Sequence, residues 1–92
     1  MLLITGSARP AEGARERMIA AVRDVAEATQ SDRGCLSYTF AASLDDDAII
    51  SVELWKDRAS LEAHMEHEHT RRFIQDLNGL LDGPPVMQET EL

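Results

Sequence analysis

Glu53-Leu54-Trp55-Lys56-Asp57-Arg58-Ala59-Ser60-Leu61-Glu62-Ala63-His64-Met65-Glu66-His67-Glu68-His69-Thr70-Arg71-Arg72-Phe73 contains the chain's only Trp and all three of its His. The segment opens as the end of a strand, because Ile49, Ser51, Glu53 and Trp55 alternate with Ile50, Val52 and Leu54. It turns at Lys56-Asp57, where Asp57 or Ser60 is suited to cap a helix. A helical run then places Leu61, His64 and Met65 on one side. This second helical region is expected over roughly 58–81, broken between Glu66 and Thr70. Phe73, Ile74, Leu77 and Leu81 form the apolar stripe of its latter half.

Upstream, Cys35 to Ser43 alternates in the same way. Leu36, Tyr38 and Phe40 are expected on one face, with Cys35, Ser37, Thr39 and Ala41 on the other. The polar turn Leu44-Asp45-Asp46-Asp47 joins this strand to the one ending at Lys56, so the two form an antiparallel hairpin. The acidic run reads as a solvated loop. Leu2 to Ala8 reads as a further strand, apolar on both faces at its start as a central strand would be.

Between them, Ala14, Met18, Ala21, Val22, Val25 and Thr29 recur at three- and four-residue spacing. They define a helix that enters between Pro10 and Gly13 and runs to about Gln30. Ser31-Asp32-Arg33-Gly34 ends it, with Gly34 supplying the backbone freedom of the exit. Asn78-Gly79 and Asp82-Gly83-Pro84-Pro85 precede a last short strand over 86–92.

The order strand, helix, strand, strand, helix, strand is that of an α+β, ferredoxin-like βαββαβ domain spanning 1–92. Its four-stranded antiparallel sheet carries helices on one face. The strands are apolar on both faces and the helices cover only one. A symmetric homodimer packed sheet against sheet is therefore expected.

The 92 residues carry a formal charge of −8, which argues against a nucleic-acid surface because phosphate binding needs clustered Lys and Arg. No apolar run approaches the roughly 18 residues a membrane span requires. A lone cysteine, Cys35, excludes an intrachain disulfide, and a cytoplasmic location is the expectation.

Gly34-Cys35-Leu36-Ser37-Tyr38, Glu53-Leu54-Trp55-Lys56-Asp57, Leu61-Glu62-Ala63-His64, His69 and Phe73 together resemble the antibiotic biosynthesis monooxygenase family over nearly the whole chain. The resemblance implies a dimeric α+β barrel. Among the activities it brings are cofactor-free oxidation of quinols or anthrones, haem degradation, and conversion of a phosphorylated signalling metabolite.

By resemblance, Tyr38, Glu53, Trp55, His64, His69 and Phe73 occupy recurrent family positions, whereas His67 is extra. The anthrone oxygenase branch has an Asn four residues before the Trp; here that position is Ser51. The haem-degrading branch uses an Asn, a Trp and a His where this chain has Gly6 or Ser7, His64 and Ile74. A haem-handling module therefore stands only as an alternative, beside a non-catalytic small-molecule binder or an isomerase-type enzyme.

Cofactor-free oxygenation needs a base, a stabiliser of the resulting anion, and a water-poor pocket. His64 is the leading base, since imidazole titrates near neutral pH. Tyr38 is placed to hydrogen-bond an oxyanion. Glu53 is read as an orienting carboxylate paired with Arg71, Arg72 or His64. Trp55, Ser51, Phe73 and His69 are assigned to substrate binding. Each also has a purely structural reading, as core packing or as a satisfied buried polar group. No cofactor is expected. No metal is expected either. At spacings of three and two, His64, His67 and His69 do not converge on one side of a regular helix, although a bend would bring them together, and no Cys or known motif accompanies them. The expected partners are a small aromatic substrate and O2.

Overall fold

The computed structural model describes all residues 1–92. Seven elements follow in the order β1 (Leu2–Ala8), α1 (Arg15–Thr29), β2 (Cys35–Ala42), β3 (Ile49–Trp55), α2 (Arg58–Glu66), α3 (Glu68–Asp76) and β4 (Val86–Glu91). The strands form one sheet in the order β2-β3-β1-β4, antiparallel throughout. This is the expected ferredoxin-like α+β fold.

The helix-facing side of the sheet is set by register. Leu2 pairs with Trp55, Ile4 with Glu53 and Gly6 with Ser51, while Glu53 also lies opposite Tyr38, and Ser51 opposite Phe40. Leu2, Ile4, Tyr38 and Trp55 join Val25 of α1 and Leu61 of α2 in the central apolar cluster. All six positions of the α1 stripe behave as its spacing predicts: Ala14, Met18, Ala21, Val22, Val25 and Thr29 are buried.

One face assignment is corrected. The ladder between β2 and β3 shifts register between Cys35 and Ser37. This bulge places an additional residue on one strand and turns Leu36 outward, 53 % exposed. Cys35, not Leu36, then joins Tyr38 and Phe40 against the core. Simple alternation cannot foresee an inserted residue.

The helical region ends earlier than its apolar spacing suggests. Its two parts are separated at His67 alone, whose extended backbone (φ −68°, ψ 147°) interrupts the ladder. Asp57 is the cap of α2, its carboxylate accepting from the Ser60 amide at 2.8 Å. Leu77 and Leu81 lie beyond α3 in an irregular connection. That connection is tied to the β1–α1 link by the Ala11 amide donating to the Leu80 carbonyl. No helix is long and apolar enough to cross a membrane.

Gly34 leaves α1 at φ +81°, and a Cβ there would overlap the side chain of Ser60. Glycine thus meets two demands at once: a left-handed turn and the close approach of the α2 N-terminus.

Candidate functional site

Between the helix-facing side of the sheet and the helices lies a cavity of about 340 Å³, within the range of small-molecule sites. Its wall is mostly apolar: Met18 and Val22 from α1, Phe40 and Ile49 from the sheet, Met65 and Phe73 from α2 and α3, Leu77 and Leu81 from the connection after α3, and Met87 from β4. Four polar side chains enter it: Ser7, Tyr38, Ser51 and Glu53. Gly6 leaves room for two of these neighbours, since a Cβ there would lie 2.6 Å from both Ser51 Oγ and Met87 Sδ.

Glu53 and Tyr38 face each other across adjacent strands, both buried. Burial raises the Glu53 carboxyl above its usual range, opposed by a hydrogen bond from Trp55 Nε1 to Glu53 Oε1 at 3.0 Å. Burial also pushes the Tyr38 phenol far up, reinforced by the Glu53 carboxylate. Tyr38 therefore stays protonated, with a hydroxyl hydrogen available to donate. The Cys35 thiol is likewise raised by burial, which disfavours its reactive thiolate.

Four of the seven residues singled out from the sequence thus reach the cavity: Tyr38, Glu53, Ser51 and Phe73. Trp55, fully buried, donates to Glu53 and does not line the cavity. His64 does not line it either; its ring lies 4.7 Å from that of Trp55 and 5.4 Å from that of Tyr38. His69 opens instead onto a separate groove between α1 and α3, beside Asp24, Arg72 and Asp76. The expected partners of Glu53 are corrected as well. Arg71 pairs with Glu66, Arg72 lines the outer groove, and His64 turns to a different carboxylate.

That carboxylate is Asp32, which the sequence reading passed over as part of a helix ending. Its side chain is 5 % exposed, and its Oδ2 lies 2.7 Å from His64 Nδ1 and 3.0 Å from His69 Nε2. Thr70 Oγ1 is also within 3.2 Å of His64 Nδ1. Burial lowers the His64 pKa, and the adjacent Asp32 works against that shift. No spacing rule links residues 32 and 64; only the return of α2 and α3 over the end of α1 joins them.

An apolar hollow between a ferredoxin-like sheet and its helices, with a carboxylate and a phenol paired on neighbouring strands, gives this α+β domain a cavity of small-molecule size. Residues 1–76 match the family described as antibiotic biosynthesis monooxygenase, and the chain belongs to that family. Rv0793 from Mycobacterium tuberculosis superimposes with a TM-score of 0.94 at 21% identity, covering 99% of this chain and 93% of that one. The structure of an antibiotic biosynthesis monooxygenase does so with a TM-score of 0.93 at 22% identity, covering 100% and 98%. At these identities the likeness carries the fold alone. The Synechocystis protein sll1783, uncharacterized by its name, is 26% identical over 90% of this chain. The chain spans 57% of that relative's length.

Proposed function

We propose that this protein is a cofactor-independent monooxygenase acting on a small aromatic quinol or anthrone-like compound, as a cytoplasmic homodimer with one cavity per subunit. Family membership supports the monooxygenase class. The observation carrying the reading is the Glu53–Tyr38 pair in a mostly apolar cavity of matching size, where the only other polar side chains are Ser7 and Ser51.

In this reading the base is Glu53 rather than His64, because Glu53 reaches the cavity and His64 does not. A desolvated carboxylate is a stronger base than one in water, which suits removal of a phenolic or benzylic proton. The neutral Tyr38 hydroxyl donates to the oxygen on which negative charge gathers. The electron-rich anion passes one electron to O2, and the resulting superoxide and carbon radical combine to form the C–O bond of a peroxide anion. That anion takes back the proton held by Glu53 to give a hydroperoxide. For an anthrone-type CH2, the hydroperoxide then loses water and leaves a carbonyl. One oxygen atom of O2 enters the product and the other departs as water. The apolar lining keeps competing water away from the anion.

Sheet-to-sheet dimerisation is supported by the bare side of the sheet, where Leu3, Ile50, Val52 and Leu54 alternate with the buried set.

The test is O2 uptake with a panel of quinols and anthrones. The wild type should consume O2 with at least one of them, and Glu53→Gln should lower the rate about 10²–10⁴-fold, the usual contribution of a positioned base. Absence of uptake above buffer across the panel refutes the oxygenase reading. Turnover of a ligand without O2 would instead favour an isomerase on the same cavity.

A further inference from the structure

Outside the cavity, the break at His67 gathers four side chains that regular helix geometry would scatter. His64 at the end of α2, His69 in α3 and Asp32 after α1 present ligand atoms all within 4.8 Å of one another. His67 Nε2 lies a further 3.8 Å from Asp32 Oδ1. We infer that Asp32, His64 and His69, completed by His67, form a binding site for a divalent first-row transition cation, zinc foremost.

Three observations carry the inference. The first is distance. Tetrahedral zinc with bonds of about 2.0–2.2 Å requires its donors roughly 3.3–3.6 Å apart. The His64 and His69 nitrogens stand at 2.7 and 3.0 Å from Asp32 Oδ2, and His67 at 3.8 Å from Asp32 Oδ1. Two of these separations are shorter and one longer than that range. The donor atoms of Asp32, His64 and His69 all lie within 4.8 Å of one another, so side-chain shifts of roughly an ångström complete the geometry.

The second is charge. The Asp32 carboxylate is 5 % exposed, and its only ion-pair partners are imidazoles; no Lys or Arg approaches it. A buried carboxylate calls for a cation. One divalent ion supplies that positive charge directly at the carboxylate.

The third is chemistry. Imidazole nitrogen with one carboxylate oxygen is a borderline donor set that suits zinc and its neighbours, not calcium or magnesium. The partly exposed His67 and His69 give the ion a way in, while His64 fixes the inner position. Four protein ligands make a closed site, as structural zinc centres are. The ion joins the end of α1 to both α2 and α3. Because the His64 ring also rests on Tyr38 and Trp55, the clamp stiffens the cavity's back wall.

The experiment uses untagged, chelator-treated protein titrated with Co(II) and, separately, with Zn(II). One equivalent of Co(II) should produce the intense visible d–d absorption of a tetrahedral site. Zn(II) at about 100-fold above its dissociation constant should raise Tm by roughly 10–20 °C. His69→Ala should abolish both signals, with its fold checked by circular dichroism. His67→Ala should retain binding with an altered Co(II) spectrum, water replacing a nitrogen. A wild type with no tetrahedral Co(II) spectrum and no Zn(II)-dependent Tm overturns the inference. So does a His69→Ala protein that titrates like the wild type. An unchanged spectrum in His67→Ala overturns the four-ligand form.

Discussion

Replacing Trp55 by Phe tests the coupling between the fully buried indole and the Glu53 carboxylate. Two losses add. Phe is roughly 40 Å³ smaller, which at about 24 cal/mol per Å³ of residual cavity costs about 1 kcal/mol. The indole Nε1–H also ceases to donate to Glu53 Oε1, a 3.0 Å bond inside the protein. A hydrogen bond to a charged group contributes about 1.5–3 kcal/mol, and a neutral one about 0.5–1.5.

The sign with pH follows. Burial raises the Glu53 pKa in the folded state, so the stability associated with this group is fully present below its unfolded pKa and is lost as pH rises through the folded pKa. The Trp55 hydrogen bond limits that loss by lowering the folded pKa. Without it, the folded pKa rises further and the loss on the alkaline side grows. Trp55→Phe should therefore cost about 2 kcal/mol where Glu53 is protonated and about 3–4 kcal/mol where it is ionised. Urea denaturation on both sides of the Glu53 titration measures the two values. The pH–rate profile of the variant, for any substrate found, should move to higher pH. Equal destabilisation at both pH values, with an unmoved profile, would refute the claim that the indole supports a charged Glu53.

Tyr38→Phe removes a hydroxyl that faces the cavity, so stability should change by less than about 1 kcal/mol. kcat with a responsive substrate should fall about 10–10³-fold by steady-state O2 uptake, as for loss of an oxyanion donor. Gly34→Ala meets both a positive φ and the Ser60 side chain, and should cost more than about 2 kcal/mol by thermal denaturation. Ser60→Gly should recover part of that loss in the double variant, because it removes the overlap and leaves the backbone strain. Val52→Lys, on the bare side of the sheet and 38 % exposed, should halve the sedimenting mass in analytical ultracentrifugation with the far-UV spectrum retained. A wild type that sediments as a monomer refutes the dimer.

Much of the architecture was legible in the chain because periodicity is a local property. A spacing of three and four placed the α1 stripe, and alternation placed Ser51, Glu53 and Trp55 on one side of β3. The side of β2 was misread at its start, since one bulged residue beside Leu36 reverses the alternation and leaves no mark in composition. Glu53 and Tyr38 were recognisable as candidates by type and by family resemblance. That they stand side by side on the cavity wall depends on the register of two strands.

The histidine cluster separates the two levels most clearly. The sequence by itself determined that three imidazoles fall in one short run, and that this run would be helical and interrupted. The tertiary structure alone decided where the interruption lies and which nitrogens it brings together. It alone decided that the buried carboxylate they meet is Asp32, more than thirty residues away. Hydrophobic pattern records which side of an element is buried. It carries no record of which distant polar group will occupy the same buried volume, because that is settled only when α1 packs against α3.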